Sequence, residues 1–326
     1  MKTSTTFAAG LLAATLAAAP AAAQDYEMTL AHVLSDQSAY QVILTRFEEL
    51  VEERTDGRIA VEVQCCGQAG NETRAIQAIR TGVLTGGFVG GSSLENVVPA
   101  YRVLSLPYVF SGSDEAYEIL GGETGREMLD LLGEYGMYGL GWGAIFERSV
   151  GSRTPVASVE DMQGLKIRVL PTPGFVEAYK AMGTQPTPMA YGELFMALQN
   201  GVVDALEISP DAIVADKFVE VVDHYTLTKA HQSTTVFVLS DAFWSGLPDD
   251  LKTIVQEAAL DAIAHGVEAH RELNRAGLEQ VRAMGITVTE PDLAPFAEAA
   301  RPSWDVILAD APEAQALLET IQAARQ

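Results

Sequence analysis

The chain of 326 residues has little of what most enzymes and nucleic-acid binders need. It has two cysteines, Cys65 and Cys66, and they are adjacent. With no histidine near them they cannot build a zinc site. In an oxidising compartment they could bond to each other, although neighbours reach the usual disulfide geometry with difficulty. Histidine is scarce: His32, His224, His231, His265 and His270. None stands in an H-E-x-x-H pattern, and His265 and His270 do not share one helix face. No G-x-S-x-G elbow, Walker loop or C-x-x-C is present. Gly139-Leu140-Gly141-Trp142-Gly143 opens no helix, so it does not read as a dinucleotide loop. Carboxylates abound, but nothing selects a pair for glycoside chemistry. Basic residues are outnumbered 21 to 44, for a net charge of -23. No basic patch remains for nucleic acid or an anionic membrane surface. Neither catalysis nor nucleic-acid binding is expected, and no cofactor.

Long apolar runs are also missing after the first segment. That segment reads as a signal peptide over residues 1–23. Lys2 supplies the charged start, Phe7 to Ala19 the apolar stretch, and Ala21-Ala22-Ala23 the small-residue site before Gln24. The apolar run is short and alanine-rich for a membrane anchor. Export across a membrane is expected. The length and the 48% hydrophobic composition suit two lobes rather than one.

What is present is organised around Gly164 to Ser209. Leu165 to Val169 reads as a strand with Arg168 embedded in it. Pro186-Thr187-Pro188 leads through Tyr191 into a helix ending near Asn200-Gly201. Val202 to Ile208 reads as a second strand carrying Asp204 and Glu207. A guanidinium among apolar neighbours needs a carboxylate or phosphate, because its planar fork of donors pairs with such groups. That partner could be an acid of the chain, such as Glu207, or a ligand.

The stretch resembles the solute-binding proteins of TRAP transporters, the tripartite ATP-independent periplasmic carriers of organic acids. The matching residues are Gly164-Leu165-Lys166-Ile167-Arg168-Val169, Pro186-Thr187-Pro188-Met189, Tyr191, Glu193, Ala197-Leu198-Gln199 and Val203-Asp204-Ala205-Leu206-Glu207. The resemblance extends over nearly the whole chain after residue 23. It implies an α/β fold of the two-lobe periplasmic binding protein kind (type II-like), with a hinge and a long helix spanning both lobes. The expected division is 24–145 plus 234–273 for the first lobe and 146–233 plus 274–326 for the second.

The resemblance also implies site residues. Arg168 is the expected carboxylate anchor, aided by Arg148, which ranks below it because Glu147 is adjacent and the family's glycine before it is missing. Tyr191 would pack on the ligand and Glu207 would orient the arginines. Glu72, Ser92 and His32 would address the ligand's far end; plain helix capping, an ordinary turn and a satisfied strand-end histidine are their rival readings. Ile208 stands where relatives usually have Asn, and Pro171 where some have a polar contact, so the far end of the ligand should differ from the sialic-acid type. The implied ligand is a small organic acid, either a uronate or other sugar acid, or a simpler aliphatic, keto or aromatic carboxylate. The implied partner is a membrane permease, with the binding protein a monomer. The resemblance leaves a cation beside the carboxylate open and predicts none. A periplasmic sensor without a transport role is the reading from another class.

Elsewhere the pattern predicts strands at 26–32, 58–63 and 85–91, a helix capped by Ser35 or Asp36, and a helix from Asn71 to Thr81. It predicts a helix over 114–134, a glycine-broken strand over 137–146 and a crossover strand around His231. A long helix over 249–284, a strand at 286–289 and two terminal helices complete it.

Overall fold

The computed structural model describes residues 24–325; the signal peptide expected over 1–23 lies outside the described residues. The first part of the chain runs β1 (Tyr26–Ala31), α1 (Ala39–Arg54), β2 (Ile59–Gln64), α2 (Glu72–Arg80) and β3 (Gly86–Gly90). Two 3-10 turns, α3 (Ser113–Gly121), α4 (Glu123–Leu131) and β4 (Met137–Trp142) follow. Ser38, rather than Ser35 or Asp36, caps α1: it is extended and its hydroxyl accepts the Gln41 N–H. A side-chain acceptor three residues before that N–H satisfies a free helical donor. The single helix expected over 114–134 is two helices, because Gly122 between them is extended.

The middle of the chain runs β5 (Phe146–Ser152), β6 (Lys166–Val169), α5 (Pro173–Ala181), β7 (Gln185–Pro188), α6 (Leu194–Gln199), β8 (Ala205–Ile208), α7 (Pro210–Ala215) and β9 (His224–Ser233). The last part runs β10 (Thr235–Ser240), α8 (Asp241–Gly246), α9 (Asp249–Ala283), β11 (Thr287–Thr289), α10 (Ala294–Ala300), α11 (Ser303–Leu308) and α12 (Pro312–Ala323).

Two sheets result, in the orders β2-β1-β3-β10-β4 and β11-β9-β5-β8-β6-β7. Each is buried on both faces, as the side-chain period of two shows. In β10, Val236 and Val238 enter one core and Phe237 and Leu239 the other. In the second sheet, Ile167, Val169 and Ala205 face one core and Leu206 and Ile208 the other. The stretch expected as one broken strand over 137–146 divides between the sheets at Gly143–Ile145. The return from β9 to β10 divides at Thr234. Because β4 pairs with β10 and β5 with β9, both antiparallel, a two-stranded ribbon carries the chain from one sheet to the other. Gly143 donates to the Thr235 carbonyl and the Thr235 hydroxyl donates to that of Ala144, which fastens the ribbon where it crosses.

Helix α9 links the two lobes. At 1.5 Å per residue its 35 residues span about 52 Å. Its first half packs Leu251, Val255, Ala258, Ala259 and Ala262 into the core of the first sheet, and Val281 near its end enters that of the second. Three helices follow it rather than two. Trp304, Ile307, Leu317, Leu318 and Ile321 join the core formed with Ile76, Val236 and Val238 of the first lobe. The Trp304 indole N–H donates to the Pro107 carbonyl. The end of the chain thus rejoins the first lobe, whereas the sequence reading put all of 274–326 in the second. An amphipathic helix declares that it needs a core but not which one.

Other contacts tie the lobes together. Glu95 is 5% exposed and accepts the Gly174 N–H at 2.7 Å, at the start of α5. Asn96 donates to the Pro171 carbonyl at 3.3 Å. Tyr108 donates through its N–H to Ala230 and through its hydroxyl to Thr228, both in β9.

Candidate functional site

A cavity of about 530 Å³ lies between the lobes, in the range of small-ligand sites. Its second-lobe wall is built from the ends of three neighbouring strands. Arg148 comes from β5, Arg168 from β6 and Glu207 from β8. Between Arg148 and Val150 the β5–β9 register is irregular, and such an irregularity re-aims a side chain. Arg148 donates through Nε to Glu207 Oε2 and through Nη2 to the Glu207 carbonyl at 2.7 Å. Arg168 donates through Nη1 to Glu207 Oε1 at 3.3 Å, and through Nε and Nη2 to the Met189 carbonyl at 3.1 and 2.9 Å.

Glu207 therefore lies between two guanidiniums, one on each oxygen. Its side chain is 0% exposed, that of Arg168 1% and that of Arg148 12%. Burial works against both cationic charges. At Arg148, the charge and hydrogen bond of Glu207 outweigh burial and hold the pKa above its ordinary value. At Arg168, burial and the like charge of Arg148 prevail over Glu207 and hold it below. Both remain charged, since arginine is not deprotonated in proteins. Two cations against one anion leave an excess positive charge at this wall. Nη1 of Arg148 has no partner among the described residues, so the more open guanidinium is Arg148, which the sequence reading ranked second. Glu147, the neighbour that lowered its rank, pairs instead with Lys229 at 3.1 Å.

Tyr191 lines the cavity with its ring centre 5.9 Å from the Arg168 guanidinium. Its hydroxyl donates to Asp216 at 2.6 Å and its ring meets Phe218 edge-on. Burial first, then the Asp216 charge, keeps the phenol neutral well above its usual range. The ring is thus fixed from behind, with a cation already at its face.

The first-lobe wall carries the opposite charge. Glu72 opens α2, where the helix dipole favours an anion. Its carboxylate accepts the Gly90 N–H at 2.9 Å and the Ser93 hydroxyl. Both residues line the cavity. The hydroxyl at this carboxylate is that of Ser93; the expectation for Ser92 was a contact to the far end of the ligand. Ser92 borders the cavity but gives its hydroxyl to the Leu104 carbonyl at 3.0 Å. A serine doublet after a strand signals one inward hydroxyl without saying which. His32 does not line the cavity. It is 2% exposed, its Nε2 is 2.9 Å from Gln41 Oε1, and burial lowers its pKa. Its position at the end of β1 turns it into the core against Tyr40.

Leu34, Phe146, Leu170, Pro171, Met189 and Ile208 supply apolar wall. Ser209 was not singled out in the sequence; it borders the cavity and donates to Asp211 at 2.5 Å. Among the described residues, no group of three or more His, Cys, Asp or Glu could hold a metal ion, and no helix is long and apolar enough to cross a membrane. The arrangement can take an anion on one wall and hydrogen-bond donors on the other.

Comparison with known proteins places the chain in a family. Residues 30–310 match DctP, the family described as bacterial extracellular solute-binding protein, family 7. A solute-binding protein of Roseobacter denitrificans is 32% identical over 305 residues, which cover 92% of this chain and 91% of that one. Among solved structures, a TRAP periplasmic solute-binding protein from Sulfitobacter sp. NAS-14.1 with bound β-D-galacturonate has a TM-score of 0.89 at 28% identity, covering 91% of this chain and 99% of the other. One from Chromohalobacter salexigens with bound D-glucuronate has a TM-score of 0.88 at 28% identity, covering 92% and 99%. TRAP solute-binding proteins are periplasmic, bind small carboxylates and work with a membrane permease. In sequence and in fold, this chain belongs to family 7 of the bacterial extracellular solute-binding proteins, and it is a solute carrier rather than an enzyme.

Proposed function

We propose that the chain captures a sugar acid, a polyhydroxylated monocarboxylate of the uronate kind, and delivers it to a membrane permease. Arg148 and Arg168 take the ligand carboxylate, Glu207 holds the two guanidiniums apart and oriented, and Tyr191 packs against the ligand body. Glu72 accepts hydroxyls at the far end. The protein acts as a monomer in the periplasm, after removal of residues 1–23 as a signal peptide.

The opposition of Glu72 to the two arginines carries this reading. A carboxylate neutralises the excess charge of Arg148, Arg168 and Glu207, and Glu72 asks for donors, which sugar hydroxyls supply. A second carboxylate would meet Glu72 and be repelled. The uronates held by the two structural neighbours support the same class.

Calorimetric titration of residues 24–326 with D-glucuronate, D-galacturonate and succinate tests it. The uronates should bind and succinate should not. Glu72→Gln should cost about tenfold in uronate affinity, since a hydrogen bond to a charged group is worth about 1.5–3 kcal/mol, and should let succinate in. Tight succinate binding by the unaltered protein would sink the sugar-acid assignment. The apolar wall of Leu170, Pro171, Met189 and Ile208 favours a second reading, a simple aliphatic or aromatic acid. Tight binding of phenylacetate with none of the uronates would establish it.

A further inference from the structure

Cys65 and Cys66 are joined by a disulfide between neighbours in the chain. They sit in the loop from β2 to α2, and Cys66 lines the cavity together with Gly67, Gly70 and Glu72. Cys66 is exposed, so the bond fills no core. Nor can it staple the fold. A disulfide stabilises chiefly by closing a long loop of the unfolded chain, and a bond between adjacent residues closes almost none. The site already described assigns it no role.

Its effect must be local. Cys66 has φ +62° and Gly67 φ +73°, two successive residues in the left-handed region. Glycine adopts that region freely, whereas cysteine does so at a cost. The small ring closed by the disulfide limits the dihedral freedom of the Cys65-Cys66 peptide. The loop is then fastened by Cys66 N–H to the Leu34 carbonyl at 3.0 Å and Gly67 N–H to the His32 carbonyl at 3.2 Å. Five residues after Gly67 comes Glu72, through the turn closed by Gly70 N–H to the Gly67 carbonyl at 2.9 Å.

We propose that the Cys65–Cys66 disulfide is a ligand-contacting wall of the cavity that sets its specificity. Cys66, exposed and lining the cavity, offers a polarisable apolar surface to the C–H face of a pyranose ring. Its ring holds the loop that presents Glu72 to the ligand hydroxyls. The inference rests on the sugar-acid reading. It adds that a six-membered ring acid, with a C–H face to lay on this wall, gains more from it than a short acyclic one.

Dithiothreitol tests it on residues 24–326. Reduction breaks the S–S bond; each sulfur takes one electron and one proton, and the dithiol becomes its cyclic disulfide. Free thiols should be absent before reduction and appear after it. D-glucuronate affinity should fall about tenfold on reduction, near the lower bound for one lost apolar contact. Cys65→Ser/Cys66→Ser should show the same fall, insensitive to dithiothreitol, and D-glycerate affinity should stay unchanged in all three forms. Free thiols in the untreated protein, or equal D-glucuronate affinity with and without the bond, would overturn the proposal while leaving the sugar-acid reading intact. If neither D-glucuronate nor D-galacturonate binds the oxidised protein, both readings fall together.

Discussion

Replacing Glu207 by glutamine removes one charge and keeps the side-chain shape. The two guanidiniums that it separates then face each other with no anion between them. They are 1% and 12% exposed, so water cannot fully take its place. Removing one member of a buried ion group costs about 3–5 kcal/mol. A chain of this length unfolds with an entropy near 0.6 kcal/mol/K, so the midpoint should fall by about 5–8 °C. Differential scanning calorimetry without ligand measures it. D-glucuronate should reverse part of the fall. In the unaltered protein, ligand at about a hundred times its Kd adds about 2.7 kcal/mol, or about 4 °C. In the variant the shift should be at least as large, because the ligand carboxylate replaces the missing anion. A midpoint unchanged by Glu207→Gln would refute the view that Glu207 holds the arginines in place. A ligand shift smaller in the variant would refute the view that the ligand and Glu207 serve the same two cations.

Other expectations concern the frame around the site. Burial, opposed by the Gly174 N–H, holds the Glu95 carboxyl above the usual carboxylate range. The folded chain binds that proton more tightly than the unfolded chain, so its stabilisation is complete below the usual range and is lost as pH rises through the raised value. Glu95→Gln, which keeps an acceptor for Gly174, should raise the midpoint at neutral pH, and the gain should vanish by about pH 4. A gain independent of pH would show that the charge of Glu95 is not what matters. Gly277 in α9 leaves room for α7: a Cβ there would lie 2.6 Å from the Pro210 carbonyl oxygen and 2.8 Å from the Asp211 Cα. Gly277→Ala should cost about 1–3 kcal/mol in urea unfolding, as overpacking does; a neutral result would mean that the two helices separate freely. Burial lowers the His231 pKa to about 3, with Ser105 accepting at its ring nitrogen. Below the usual histidine range the unfolded chain takes up a proton that the folded one refuses, so stability is lost as pH falls from about 6.5. His231→Phe should flatten the slope of unfolding free energy between pH 6 and 4; an unchanged slope would place the titration elsewhere.

The parts of this fold that were legible in the sequence were those governed by local rules. Alternation marked β1, short apolar runs marked β3 and β6, and the apolar spacing of α9 showed its length. Arg168 stood out because a guanidinium among apolar residues needs a partner, and Glu207 was already the candidate. What stayed hidden depended on facing directions and distant neighbours. The bulge after Arg148 decides how open that side chain is, and no residue type announces a bulge. Ser92 and Ser93 are chemically alike, and only the 3-10 turn that they start decides which hydroxyl meets Glu72. His32 and the cavity residue Leu34 lie two positions apart, and the bend after β1 buries the first and brings the second, half-buried, to the cavity. The return of α11 and α12 to the first lobe rests on contacts between residues some two hundred positions apart, such as Trp304 and Pro107, which carry no local mark.

The antiparallel ribbon that carries the chain out of the first sheet and back gives the polypeptide an unusual modularity. Residues 146–233 leave and re-enter at neighbouring points, joined by the Phe146–Ser233 pairing. They bring Arg148, Arg168, Tyr191 and Glu207 as one uninterrupted cassette. Transplanting that cassette between relatives would need only two junctions, side by side, and would move the whole anion half of the cavity. The opposite wall, with Glu72 and its loop, would stay with the recipient. Recombination with a relative could thus exchange the wall that carries the two arginines separately from the wall that carries Glu72, provided that β11 and α10 still find the edges that they cover.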